Sequence, residues 1–221
     1  EMVRAISKLA PKAGGDLAKL LAAKIGAKGD SVEDHVKDAI ATIGENMSVR
    51  RTATVEVAEG VVADYIHNKA ADGIGKMGVL VALESKGDKG KLMEFGRQLA
   101  MHVAAADPKA ITADELDKEL IEKERAVYTE QAKASGKPAD IVAKMVDGRL
   151  KKEFFQQVVL TQQIYVLDGK SPVDAALKVA EKDAGAPIKI AAFVRYALGE
   201  GIEKKQEDFA AEVAKAVEGA R

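Results

Sequence analysis

Gly73, Gly75 and Gly78 fall in the order G-x-G-x-x-G, the spacing that lets a tight backbone turn cradle a pyrophosphate where a helix begins. The residues that follow are VLVALE, a strand pattern, so their amides are expected in sheet hydrogen bonds and not at a free helix start. No cofactor is expected there. The pair Gly90-Lys91 would be the end of a Walker loop, but Leu92 offers no hydroxyl for magnesium and Ser85 stands where the first glycine belongs. Direct nucleotide binding is not expected either. His35, His67 and His102 lie far apart, none with a second histidine at helical spacing, so no metal site is expected. Carboxylates are plentiful, but their spacing is that of solvated helix faces, and no reaction type follows from it.

Two of these side chains need a structural account. His102 follows Leu99 by three residues on an apolar stripe, where a satisfied core or boundary histidine is the plain expectation. Arg51 sits on an otherwise apolar strand-like face, where pairing with a buried carboxylate or a place at a sheet edge is expected ahead of catalysis.

The elements that must position these residues belong to a chain of 221 residues with 47% hydrophobic content, enough to bury a substantial core. Its 34 basic and 35 acidic residues leave a net charge of -1, with no basic run to hold a phosphate backbone, so nucleic acid is an unexpected direct partner. The absence of cysteine removes disulfides, thiolate zinc sites and cysteine nucleophiles, and fits a reducing compartment. No apolar stretch approaches the roughly 20 residues that span a bilayer, so no membrane association is expected.

From Ser31 the run SVEDHVKDAIATIGEN predicts a capped helix that stops at Gly44. Residues 47–57 alternate, with Met47, Val49, Ala53, Val55 and Val57 on one face, and predict a half-buried strand. Two more strands are expected at 61–67 and 77–84, together a meander, and then a helix over 92–106 that covers the sheet with Leu92, Phe95, Leu99 and Val103. Helical arms at 113–135 and 138–157, joined by SGKPAD, predict a projecting hairpin whose seam sets Leu116, Leu120 and Val127 against Ile141, Met145, Val146 and Leu150. Acid-first pairs Asp114/Lys118, Glu119/Lys123 and Asp147/Lys151 suit its solvated faces. An extended segment at 158–167, a helix opened by Ser171-Pro172 and a strand in 188–198 complete an α+β core, and an amphipathic segment from Ile202 carries Phe209, Val213 and Val217. The chain thus divides into a core at 1–112, an inserted coiled-coil hairpin at 113–157, the rest of the core at 158–200 and a carboxy-terminal helical module at 201–221.

Five segments in collinear order, IGENMSVRR at 43–51, KMGVLVALE at 76–84, LAMHVAAADP at 99–108, SGKPADIVAKMVDGRLKKEF at 135–154 and GEGIEKKQEDFAAEV at 199–213, strongly resemble the bacterial elongation factor Ts family. The resemblance implies an antiparallel sheet core in two subdomains covered by helices. It also implies a protein without covalent chemistry that binds elongation factor Tu in a bacterial cytoplasm and promotes replacement of GDP by GTP. Homodimeric and heterotetrameric assemblies with Tu are compatible with it. By resemblance, Met77 and Gly78 match core positions that touch Tu, and His102 matches a histidine facing the same partner, which leaves both core and contact open for it. The carboxy-terminal module, with Ile202, Phe209 and Val213, is expected to dock on the nucleotide-binding domain of Tu.

The family's amino-terminal helical module and its TDFV motif, whose acidic-aromatic pair is inserted near the magnesium site of Tu, do not occur in these 221 residues. The expectation is of a shortened factor that grips Tu and exchanges nucleotide poorly. The hairpin alone would also suit a structural coiled-coil adaptor, and the glycine run a nucleotide-dependent enzyme.

Overall fold

The computed structural model of the chain describes residues 1–27 and 29–202. The first part is helical: α1 (Met2–Ser7), α2 (Ala10–Ala13), α3 (Leu17–Ala22) and α4 (Val32–Ile43), with the short antiparallel pair β1 (Lys24–Ile25) and β2 (Asp30–Ser31) between α3 and α4. The α4 amino-terminus is built as the sequence predicts, with Ser31 Oγ accepting from the Asp34 amide at 3.1 Å, and Gly44 ends it at φ 79°. Ile6, Leu20, Ile25, Val32 and Val36 bury a small core here, against which Met47 and Val49 pack.

Residues 47–57 correct the expected meander. The predicted alternation in burial is present at both ends, with Met47, Val49, Ala53, Val55 and Val57 half-buried and Ser48, Arg50, Thr54 and Glu56 exposed, and breaks in the middle, where Arg51 is exposed and Thr52 half-buried. Yet the segment is not a strand, because no ladder forms along it among the described residues. Side-chain alternation records which face is wet, whereas a strand also needs a backbone neighbour.

The main sheet has the order β3-β4-β5, antiparallel throughout, from β3 (Gly60–Ala71), β4 (Ile74–Glu84) and β5 (Lys189–Ala197). Asp72 and Gly73 make the β3–β4 turn, with Gly73 at φ 71° supplying the left-handed conformation. β4 is central, and its near-continuous apolar run follows from burial on both faces. Helix α5 (Lys89–Ala106) lies across one face and begins earlier than the apolar stripe predicts, because Asp88 caps it through the Lys91 amide at 2.9 Å. Leu92, Leu99 and Val103 are fully buried against the sheet, each Leu contributing roughly 1.5–3 kcal/mol. Gly96 permits the close approach, since a Cβ there would lie 2.7 Å from the Ala63 Cβ. Helix α9 (Val173–Ala184) packs on α5 and extends the same core through Val173, Ala180 and Ala184.

Between α5 and α9 the chain forms a helical hairpin of α6 (Lys118–Lys133) and α7 (Ala139–Arg149), the latter widening into a π turn at Leu150–Phe154 before α8 (Phe155–Val158). The seam holds at the expected Leu116, Val146 and Leu150 and departs from the expectation elsewhere. Tyr128 and Ala132 with Val142, Val146 and Leu150 are buried, whereas Leu120, Val127 and Ile141 are 36%, 47% and 41% exposed. The aromatic ring of Tyr128 covers more apolar surface than Val127, and the Arg149 guanidinium stacks on it at 4.0 Å from the ring centre. Of the expected charge pairs Glu119–Lys123 forms, at 2.8 Å, but Asp147 instead pairs with Arg125 across the hairpin. Residues 158–167 are not extended either: a 3-10 turn at Leu160–Gln162 is flanked by isolated bridges Ala110↔Val159 and Ile164↔Pro172.

Candidate functional site

The strand period separates the residues singled out from sequence. On β4, Met77 points to the face covered by α5 and is half-buried, while Gly78 lies on the opposite, outer face between Ile66 of β3 and Tyr196 of β5. Gly78 is exposed, and a Cβ at that position would meet nothing within 4 Å. The glycine run thus lies in a hairpin turn and a sheet ladder, as its strand context predicts.

Gly78 opens onto a concavity of about 910 Å³ between the outer sheet face, the α1 and α4 helices and the unpaired segment at 47–57, lined by Met47, Val49, Ile66, Leu80, Tyr196 and Ile202 among others. Ile202, 53% exposed, therefore shares this hollow with Gly78. Phe209 and Val213 lie outside the described residues.

Arg51 forms the wall of the hollow. Its guanidinium sits 4.5 Å above the Tyr196 ring, donates to Glu200 Oε2 at 3.2 Å and to the Ala197 carbonyl at 3.0 Å. The expected pairing with a carboxylate is present, but the partner is a part-exposed carboxylate, 37% exposed, and not a buried one. Glu200 accepts a second guanidinium, that of Arg195, at 2.7 Å. Burial pushes the Glu200 carboxyl up, but the hydrogen bonds from Arg195 and Arg51 outweigh it and hold the group below its usual range.

His102 is on the inner side, fully buried at 0% exposure. The Val166 amide can only donate, so His102 Nδ1 accepts from it at 3.2 Å, which leaves the proton on Nε2 to be donated to Gln163 Oε1 at 2.9 Å. The Gln163 amide nitrogen donates in turn to the carbonyls of Ala106 at 3.0 Å and Gln157 at 2.7 Å. Burial lowers the imidazole pKa, so the ring is held neutral, with the Gln163 hydrogen bond opposing part of that effect. The ring offers no surface of its own. It anchors a loop on which Ile164, Val166 and Leu167 stand 46%, 42% and 46% exposed. Sequence reasoning passed over Gln163 and this loop, because a polar residue that completes a buried network has no periodic signature.

An α+β body with a large apolar hollow, an anchored apolar loop and a helical hairpin belongs to the class of proteins that act by presenting surfaces to a macromolecular partner. A family model described as Elongation factor TS matches residues 1–200. The chain is 54% identical over 219 residues to Elongation factor Ts of Sinorhizobium medicae (strain WSM419), covering 99% of this chain and 71% of that relative. Elongation factor Ts of Rhizobium meliloti (strain 1021) is 54% identical and that of Bartonella henselae 52% identical, over the same shares of both chains. The chain belongs to the elongation factor Ts family.

Proposed function

We propose that this chain is a guanine-nucleotide exchange factor that binds elongation factor Tu and promotes release of GDP in a bacterial cytoplasm. The observation that carries the reading is the 54% identity to Elongation factor Ts across 99% of the chain. The physical basis is linkage. A partner that prefers the nucleotide-free conformer of Tu weakens nucleotide by the factor by which nucleotide weakens the partner, about tenfold for each 1.4 kcal/mol of coupling. No covalent step by this chain is needed.

Two surfaces support the reading. Gly78 leaves the outer face of the central strand free of side-chain bulk, so a partner backbone can come close. His102 contributes through the loop it anchors, with Val166 and its neighbours as the contacting groups. Met77 supports the strand from the covered side, while Ile202 leads from the hollow into the segment that holds Phe209 and Val213, proposed as the contact with the nucleotide-binding domain.

On the family resemblance, in which the TDFV motif acts near the magnesium site of Tu, a protein of these 221 residues is proposed to bind Tu and to exchange nucleotide poorly. Release of fluorescent GDP from Tu tests this: a saturating amount of the chain should accelerate release far less than a longer form carrying TDFV. Equal acceleration by the two overturns the slow-exchange reading, and failure to bind nucleotide-free Tu overturns the exchange-factor reading itself.

The exposed Leu120, Val127 and Ile141 on the hairpin favour one alternative, a structural adaptor role. It predicts that the chain binds Tu equally well with GDP present and absent.

A further inference from the structure

The chain departs from β5 through the turn Leu198-Gly199-Glu200-Gly201, in which Gly199 and Gly201 have φ of 75° and 71°. The turn is held from two directions. From the unpaired segment at 47–57, Arg50 donates to the Glu200 carbonyl at 2.8 Å and Arg51 to the Glu200 carboxylate at 3.2 Å and the Ala197 carbonyl at 3.0 Å. From the sheet, Arg195 donates to the same carboxylate at 2.7 Å and pairs with Asp107, just beyond the end of α5, at 3.2 Å. Arg51, Arg195, Glu200 and Asp107 thus form a linked set of ion pairs, joined at Asp107 by Lys109 at 2.6 Å, and Arg195 is its most enclosed member with its side chain 14% exposed. Across the same boundary the Tyr196 hydroxyl lies 3.4 Å from the Thr52 carbonyl, and the Arg51 guanidinium stacks on the Tyr196 ring.

This arrangement answers a question that the fold leaves open. Residues 47–57 have no ladder among the described residues, so something other than sheet pairing must fix them beside the hollow. Half-buried Val and Ala side chains set which face is down, but they do not fix position along the surface. Directional, charge-assisted hydrogen bonds do. Two of these bonds end on Glu200, one at its carboxylate and one at its backbone carbonyl, 149 residues away from Arg51, and a third ends on the Ala197 carbonyl.

We propose that Glu200 is a positioning residue, a latch that holds the unpaired segment against the outer sheet face and keeps Arg51 stacked on Tyr196 beside Gly78. The latch fixes the shape of the hollow and the direction in which the chain leaves the core at Ile202. With the latch open the segment swings away from Tyr196, and the surface around Gly78 loses its wall. Its role toward Tu rests on the exchange-factor reading above, but the latch itself can be tested without Tu.

Arg50 and Arg51 are themselves trypsin sites, so cleavage after them reports on release of the segment. Cleavage in the native state follows the population of the locally opened form. Glu200→Gln should accelerate cleavage after Arg50 and Arg51 by about tenfold or more, the change expected when one strong tether of a local opening equilibrium is lost. Cleavage near the hairpin tip, after Lys133, should stay at the wild-type rate, and the control Glu56→Gln should change neither. Arg51→Met, read at Arg50 alone, should reproduce the effect if Glu200→Gln folds poorly. Unchanged cleavage after Arg50 in both variants overturns the latch, and so does equal acceleration at the hairpin tip, which would make Glu200 a general stabiliser. Affinity for nucleotide-free Tu should fall several-fold in Glu200→Gln. A protease difference with no binding of Tu by the wild-type chain supports the latch and removes the exchange-factor reading.

Discussion

His102 and Gln163, 61 residues apart in sequence, meet through a 2.9 Å hydrogen bond inside the core, and the other imidazole nitrogen accepts from the backbone of Val166. One buried ring thus joins α5 to the loop after the hairpin. Replacing His102 by Ala leaves the Gln163 oxygen and the Val166 amide unpaired in a dry site and opens a cavity. The expected cost is about 2 kcal/mol or more, a fall of roughly 4–8 °C in Tm for a chain of this size. Calorimetry of the variant checks it, and an unchanged Tm would show that the network is dispensable.

The same residue sets a pH dependence. The unfolded imidazole takes up its proton near its ordinary value of 6.5, whereas the buried ring does so only at lower pH. Between those two values the unfolded state binds more protons, so stability is complete above about 6.5 and falls as pH falls through that window. Glu200, held below its usual 4.5, loses its contribution only in more acid solution. Urea midpoints at pH 7.5 and 5.5 should therefore differ in the wild type, and the difference should shrink in His102→Gln.

Two glycines on neighbouring elements should respond in opposite ways. Gly96→Val forces a Cβ into contact with Ala63 at 2.7 Å and is expected to destabilise by about 1–3 kcal/mol through overpacking. Gly78→Val adds a β-branched residue in open space on a central strand and should leave stability within about 1 kcal/mol of wild type. On the proposed function it weakens binding to Tu. Chemical denaturation together with titration of nucleotide-free Tu distinguishes the two classes of effect.

The hairpin seam can be tested with adjacent positions. Val127 is 47% exposed and Tyr128 buried, so Val127→Lys should be nearly neutral, whereas Tyr128→Ala should cost about 3 kcal/mol of local stability. Loss of helical signal on gentle heating, followed by circular dichroism, reads both. The reverse ranking would restore the seam through Leu120 and Val127 that the sequence suggested.

Much of this architecture is local and therefore legible in the chain itself. Ser31 with Asp34, Asp88 before Lys91 and Gly44 after Ile43 mark helix ends because capping acts within one turn. The stripe Leu92, Phe95, Leu99 and Val103 identified α5, and the run after Gly78 identified the central strand, because period reports the buried face. Collinear motifs identified the family before any coordinates.

What the chain could not settle is which distant group each element meets. Residues 47–57 carry a strand's alternation and lack a ladder partner among the described residues, since pairing is decided by a second segment and not by the first. Tyr128 displaced Val127 from the hairpin seam because helix rotation depends on the surface opposite. Met77 and Gly78, neighbours in sequence, face opposite sides of the sheet, so only one of them lines the hollow. His102 belongs to the core and not the surface because Gln163 and Val166 arrive to satisfy it, and Arg51 found its carboxylate in Glu200 across 149 positions. Each of these outcomes is a long-range meeting of polar groups or faces, specified by the closed tertiary structure and carrying no periodic trace along the chain.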